Sequence, residues 1–529
     1  MATSSLIGSS AIGWSIRRVI VAPVVVMIIA SLAIMPLYSG SGTAFLLFCF
    51  AFTASVAVCA IGRLSWFQFF LTAFLTLGFW AKLLVHLVNP HTFIEPVGTF
   101  HSTPESWDHA LLVSAAGMSG VALMGILVKA FDRRSFIPDV RVALSPLFRR
   151  AAWPLFWLST IVAVALFVAN YHFAILRIGV NPRVDLPSNL YVIIALTVSW
   201  GAIVWLSAFT FWLCLAKLLS VEATICIVAV EGSLATASMG SRVQMILHVA
   251  PVVLALLIWA AKLDLWFSRR GVGLAIAFSV VLFVGSLALV SVDRIITFSS
   301  PVKLQDAGRS AESDSASSLA TSTPTAATAD GSRGLPSQAR SAPAAKSAAG
   351  QETRRPAAYF LSTDAIQRIG RQVGRLFVDR WVGLEGVLAV SSHLDLGPGL
   401  LKMGALERPG MGVDALYQKI ARSTYVRSED FTFMTIPGPI AFLFYSGSMV
   451  IVTIGTAALF LVGYLTERFA DVWLRTPPAS AVVGSALAYL IVQLNFPRTL
   501  LFFVIEIAFA LALLGLGRVA LRLHAGLSD

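Results

Sequence analysis

The chain has 529 residues, 57% of them hydrophobic and only 12% charged, with a net charge of +12. Apolar runs of about 20 residues recur along it, the length an α-helix needs to cross a hydrocarbon core about 30 Å thick. This excludes an ordinary water-soluble domain. It also argues against nucleic acid as the partner of the positive charge, because arginines flanking the apolar runs account for much of it as membrane anchors.

In chain order the apolar runs predict transmembrane helices over 19–38, 43–61, 65–89, 108–129, 152–176, 190–218, 222–240, 243–262, 270–291, 436–464, 479–496 and 499–519. The expectation is an all-α polytopic membrane protein with about 12 transmembrane helices and one large external loop. Three parts follow: an N-terminal bundle over 1–291 with about nine spans, a loop over 292–435, and a C-terminal bundle over 436–529 with about three. The first run lacks a convincing small-residue cleavage site and reads as a retained anchor rather than a signal peptide. Segment 222–240 is the weakest span, since it carries Glu222, Glu231 and a tail rich in Gly, Ser and Thr.

Positive charge in short loops marks the cytoplasmic side. Arg17 and Arg18 precede the first run, Arg63 follows the second, and Arg133, Arg134, Arg141, Arg149 and Arg150 fill the connection after the fourth. The N-terminus is therefore expected inside. The connection 90–108, with Glu95, Glu105 and Asp108 and no Lys or Arg, is expected outside. Lys262, Arg269 and Arg270 then fall inside, the loop from 292 outside, and Arg468, Arg475, Arg518 and Arg522 inside. If 222–240 did not span, the large loop would move to the cytoplasm.

Within that loop, 301–357 is dominated by Ser, Ala, Thr, Pro and Gly, a composition unable to bury enough apolar surface to offset chain entropy, and it reads as a disordered insert. An Arg-rich helical part follows over 361–430. Ile366, Ile369, Val373, Leu376 and Phe377 recur at helical spacing, with Arg368, Arg371 and Arg375 between them, which predicts an amphipathic helical stretch over 361–395 suited to a membrane surface. Next come Arg380 and Trp381, then Glu385, His393, Arg408, Arg422 and Arg427, and the chain enters its next span through Ile436-Pro437-Gly438-Pro439.

Guanidinium groups stay charged and pair bidentately with phosphate, so Arg375, Arg380, Arg408, Arg422 and Arg427 are candidates for a phosphate-bearing ligand; contact with anionic lipid headgroups is the competing reading. Carboxylates and His393 in the same loop add groups able to move a proton. Glu95, in Phe93-Ile94-Glu95-Pro96-Val97-Gly98-Thr99-Phe100, stands among aromatic residues suited to sugar faces, or simply in a capped connection between spans. Lys82 and Lys217 lie near span ends, where a lysine can snorkel to the interface. Glu231 and Glu506 lie deeper and favour a transporter, because ionisable groups inside a membrane are costly. Four cysteines, all in apolar runs, offer neither a disulfide framework nor a zinc ligand set. No histidine spacing matches a metal site, and nucleotide-binding loops are absent, so no cofactor is expected.

The layout resembles the Wzy-type oligosaccharide repeat-unit polymerases of bacterial surface polysaccharides: about a dozen spans, a large Arg-rich external loop before the last three, and an exit through Arg427 to Gly438 and Phe442-Leu443-Phe444-Tyr445-Ser446-Gly447. That family carries RX10G patterns in periplasmic loops, and the pairs Arg375/Gly386 and Arg427/Gly438 have this spacing. The resemblance implies a metal- and nucleotide-independent membrane glycosyltransferase in the bacterial inner membrane. It would join polyprenyl-diphosphate-linked oligosaccharides at the periplasmic face. Arg375, Arg380, Arg408, Arg422, Arg427 and Trp381 would bind diphosphate and glycan, and Glu385 would act as base, with Glu95 and His393 as substitutes. Membrane lipids and a chain-length regulator are the further partners implied. An O-antigen ligase, using similar groups, and a polysaccharide flippase or secondary transporter remain the alternatives.

Overall fold

The computed structural model describes residues 6–89, 100–132, 138, 143, 145–180, 182–260, 262–298, 381–408, 414–422 and 436–526. The insert 301–357, the stretch 361–380, and Glu95, Arg375, Arg380 and Arg427 lie outside the described residues. Among the described residues every regular element is helical, apart from one isolated bridge between Arg177 and Val180.

The helices are α1 (Leu6–Ile34), α2 (Gly42–Cys59), α3 (Trp66–Val88), α4 (Pro104–Phe131) and α5 (Pro146–Phe173). Helix α6 comprises Ser188–Leu196, a π-helical turn Thr197–Gly201, and Ala202–Leu215; α7 (Val221–Met239), α8 (Gln244–Ala260) and α9 (Arg269–Phe298) follow. Four short helices, α10 (Leu384–Ser391), α11 (Pro398–Leu406), α12 (Leu416–Ile420) and α13 (Gly438–Leu443), precede α14 (Met449–Leu474), α15 (Pro477–Val492) and α16 (Pro497–Gly526). Among the described residues, nine helices are long and apolar enough to cross a membrane, and three shorter apolar helices occur at 244–260, 477–492 and 507–520. The chain is thus an all-α, multi-pass membrane protein.

The weak segment is one of the nine. Helix α7 tolerates its two carboxylates because each has a partner: Glu222, in the first turn, accepts from the Ser268 backbone N–H at 2.6 Å, and Glu231 faces His248 at 2.9 Å. Gly240 then ends the helix in the left-handed conformation at φ 61°.

Helix α15 is the packing centre. Its first twelve residues, Pro477 to Ala488, are all buried, and its small side chains let neighbours approach closely. A Cβ on Gly484 would sit 2.6 Å from the Phe67 backbone nitrogen of α3. By contrast α1, α5 and α9 expose most of their apolar surface, as helices facing lipid do.

Three long helices run between the same two polar layers. At one end, Glu467 of α14 accepts from the N-terminal backbone N–H groups of α3 at Trp66 and Phe67, capping that helix; Arg63 and Arg468 pair with Asp471, and Arg468 with Asp132 beyond α4. At the opposite end, Asp108 of α4 accepts from the Tyr38 hydroxyl and the Ser41 N–H, the His101 N–H donates to Ser392, and the Gly397 N–H donates to the Tyr445 carbonyl. Residues 381–408 and 414–422 therefore lie at the end of α3 and α4 remote from Arg63 and Arg468.

The described part of the expected surface helix 361–395 behaves otherwise. In α10, residues Leu384 to Val390 are all buried, so this segment is a core element and not a membrane-surface helix. Its only charged residue, Glu385, has a buried cation to pair with.

Candidate functional site

The π-helical turn Thr76–Ala81 widens α3 immediately before Lys82. Such turns open helix backbone and recur at functional sites. The chain at Trp381–Gly383 lies directly against it: a Cβ on Gly78 would be 2.2 Å from the Val382 carbonyl oxygen, and one on Gly383 only 1.9 Å from that of Gly78. Only a pair of glycines permits this backbone approach. Trp381 stacks on Phe74 at 5.3 Å between ring centroids, which holds the segment in place.

That approach delivers Glu385, second residue of α10, to Lys82. The ammonium donates to Glu385 Oε1 and to the Trp381 carbonyl, both at 2.6 Å, and the two side chains are 0% and 5% exposed. A buried ion pair costs desolvation that its Coulomb attraction only partly offsets, so its worth lies in what it specifies. Here it fixes where this segment of the large loop docks.

Aromatic hydroxyls cover the pair. Tyr417 of α12 is fully buried, its hydroxyl has no hydrogen-bond partner among the described residues, and burial, reinforced by the negative charge of Glu385, raises its phenol well above the ordinary range. Tyr445 is raised too, first by burial and then by Tyr417 and Glu407. Glu407 accepts from the Leu416 N–H at 2.6 Å, tying α12 to the end of α11.

The sequence-derived candidates separate into groups. Lys82 brings Glu385 and Trp381 together. His393 lies just past the other end of α10, eight residues from Glu385 and therefore about 12 Å along the axis. Arg408 and Arg422 are exposed on the segments flanking Glu407 and Tyr417, and neither enters an ion pair among the described residues. Glu95, Arg375, Arg380 and Arg427 lie outside the described residues, and the Glu506 side chain is not described. Among the described residues no group of three or more His, Cys, Asp or Glu is placed to hold a metal ion.

Lys82 is the residue that sequence reasoning missed by assigning it to the span end. The apolar run continues to Val88, six residues or about 9 Å further, so its ammonium sits too deep to be explained by snorkelling alone. Tyr417 carried no signal, because nothing in its neighbourhood announces a burial that depends on distant helices.

A second buried polar group sits at the other π-helical turn, Thr197–Gly201 of α6. His248 Nδ1 is 2.9 Å from Glu231 Oε2, His248 Nε2 is 2.8 Å from the Ser199 carbonyl oxygen, and Gln244 Nε2 is 2.6 Å from that oxygen and 2.7 Å from His248 Nε2. Between the two groups runs a file of rings, Trp381–Phe74–Tyr489–Trp200, with centroid spacings of 5.3, 6.2 and 6.4 Å. Comparison with protein-family models, with curated proteins and with solved structures returns no match, so the functional reading rests on these groups themselves.

Proposed function

We propose that the chain is a membrane glycosyltransferase of the bacterial inner membrane that polymerises polyprenyl-diphosphate-linked oligosaccharides at the periplasmic face. One observation carries the proposal: a buried Lys–Glu pair lies beneath segments bearing exposed arginines, at the end of the bundle remote from Arg63 and Arg468. Arg149 bonds the Ala216 carbonyl and Lys217 meets Asp264, so further basic residues gather where α5 begins and α6 ends. Positive charge marks the cytoplasmic side, which supports a periplasmic position for 381–422. Among the described residues, counting the three shorter apolar helices as crossings along with the nine long ones would give the twelve that this orientation requires.

In the proposed reaction the acceptor hydroxyl oxygen attacks the donor's anomeric carbon. The bond from that carbon to the diphosphate breaks, and the diphosphate departs with the electron pair. Arg408 and Arg422, with Arg375, Arg380 and Arg427, supply fixed positive charge for the developing anion. Glu385 takes the acceptor's proton, with Glu95 and His393 as the substitutes. Lys82 holds the Glu385 carboxylate in an ion pair, and a diphosphate competing for the ammonium frees the carboxylate to act as base. Trp381 offers an aromatic face to a sugar.

The test is incubation of purified, lipid-reconstituted protein with a lipid-linked repeat unit alone. Growth of a ladder of longer products without nucleotide supports the proposal. A ligase would leave the repeat unit unextended until given a separate lipid acceptor. The buried Glu231–His248 pair favours a second reading, a proton-coupled transporter, which predicts movement of the repeat unit across the bilayer with no new glycosidic bond.

A further inference from the structure

Two features separate the Glu231–His248–Gln244 group from an ordinary buried histidine. At the Nδ1 end, nitrogen and carboxylate oxygen are 2.9 Å apart with Glu231 6% exposed and His248 0%, so a hydrogen must lie between them. At the Nε2 end, the ring meets both an acceptor, the Ser199 carbonyl at 2.8 Å, and a donor, the Gln244 amide at 2.7 Å. A protonated Nε2 donates to the carbonyl, and a deprotonated Nε2 accepts from the amide. Each protonation state therefore finds a partner, the Gln244 amide turning its N–H aside when Nε2 carries the proton, whereas a structural histidine needs only one.

The carboxylate is similarly divided. Glu231 Oε2 faces the ring, while Oε1 has no hydrogen-bond partner among the described residues. A buried ionised carboxylate half of whose acceptor capacity is unused is costly, and the neutral acid or an imidazolium–carboxylate pair costs less because neither leaves a net buried charge. Both of those states hold one proton more than carboxylate plus neutral imidazole, and both leave the pair without net charge.

We propose that Glu231, His248 and Gln244 form an intramembrane proton-binding site, which takes up and releases a single proton with Glu231 and His248 as its carriers and Gln244 as the switchable donor. The proton comes from and returns to water, and no other bond is made or broken. The titratable and charged side chains on the packed elements stand apart by position. Glu222 and Cys226 lie toward the start of α7. Arg242 is in the turn to α8, with Arg177 beside Gly240. Arg149, Arg150, Tyr171 and His172 lie near the ends of α5, Tyr191 and Cys214 near the two ends of α6, and Arg269, Arg270 and Asp293 toward the ends of α9. Tyr489 of α15 reaches the group through Trp200. No acidic or basic residue occurs in α15 or in Thr197–Leu215.

The proposal is independent of the glycosyltransferase reading, and infrared difference spectroscopy on the reconstituted protein tests it. Films stepped from mildly alkaline to mildly acidic buffer are expected to show protonated-carboxyl or imidazolium bands that vanish in Glu231→Gln and His248→Gln and persist in Glu105→Gln, at an exposed carboxylate. Gln244→Leu removes the donor that stabilises the deprotonated ring, so its transition is expected to move to higher pH. Should a Glu231 or His248 variant not fold, Gln244→Leu alone decides. Superimposable spectra and an unmoved transition across these variants would overturn the proposal.

Discussion

Lys82 Nζ and Glu385 Oε1 are 303 positions apart in the chain and 2.6 Å apart in space. The contact joins an N-terminal span to a segment of the large loop, and both partners are removed from solvent.

Removing one partner strands the other's charge. Lys82→Met and Glu385→Leu alone are each expected to destabilise the folded protein by about 3–5 kcal/mol, whereas the double variant recovers most of that loss. Thermal melting in detergent measures it. Additive losses in the double variant would show that the pair is not coupled.

Backbone contact at the π-helical turn gives a second prediction. Gly78→Ala forces a methyl to 2.2 Å from the Val382 carbonyl and is expected to cost about 1–3 kcal/mol, or to unseat Trp381–Gly383. Gly273→Ala, which meets nothing within 4 Å, serves as the control and should melt like the parent. The readout is the melting temperature together with quenching of Trp381 fluorescence.

The buried phenols set an alkaline limit. With the Tyr417 phenol raised in the folded state and near 10.0 when unfolded, the unfolded chain loses its proton first as pH rises. Unfolding is then favoured, so this contribution to stability is complete below pH about 10 and declines above it. Tyr417→Phe removes a hydroxyl with no partner among the described residues, so it should not lower stability at neutral pH and should flatten the alkaline decline. A neutral-pH loss of more than about 1 kcal/mol would mean that the hydroxyl has a partner.

Orientation is open to direct labelling. Leu394 is 96% exposed beyond α10, and Arg270 is exposed at the start of α9. A membrane-impermeant thiol reagent is expected to modify Leu394→Cys in intact spheroplasts and Arg270→Cys only after lysis. The reverse pattern would put the Arg408 and Arg422 segments in the cytoplasm and remove the proposed glycosyltransferase from its substrate.

Apolar run length was enough to read the class of fold, because a membrane enforces it locally: each span must satisfy its own backbone hydrogen bonds and present about 20 apolar residues. The same logic made α7 ambiguous. Its two carboxylates lower the local signal, and their partners, the Ser268 N–H and His248, lie 46 and 17 positions away. The 361–395 reading failed over α10 for a related reason. The spacing that suggested a surface helix lies at 366–377, and only the distant Lys82 decides that the charge of Glu385 can go inside.

Local sequence thus determined that the chain is helical and multi-pass, where most helices begin and end, and that 361–430 concentrates Arg. Tertiary structure alone decided that Lys82 belongs with Glu385, that Tyr417 covers them, and that Glu231, His248 and Gln244 converge on one widened turn. The physical reason is that helix formation is enforced over a few neighbouring residues. Burial of a charge becomes tolerable only when a counter-charge or hydrogen-bond partner arrives from another helix, and no window of sequence contains that partner.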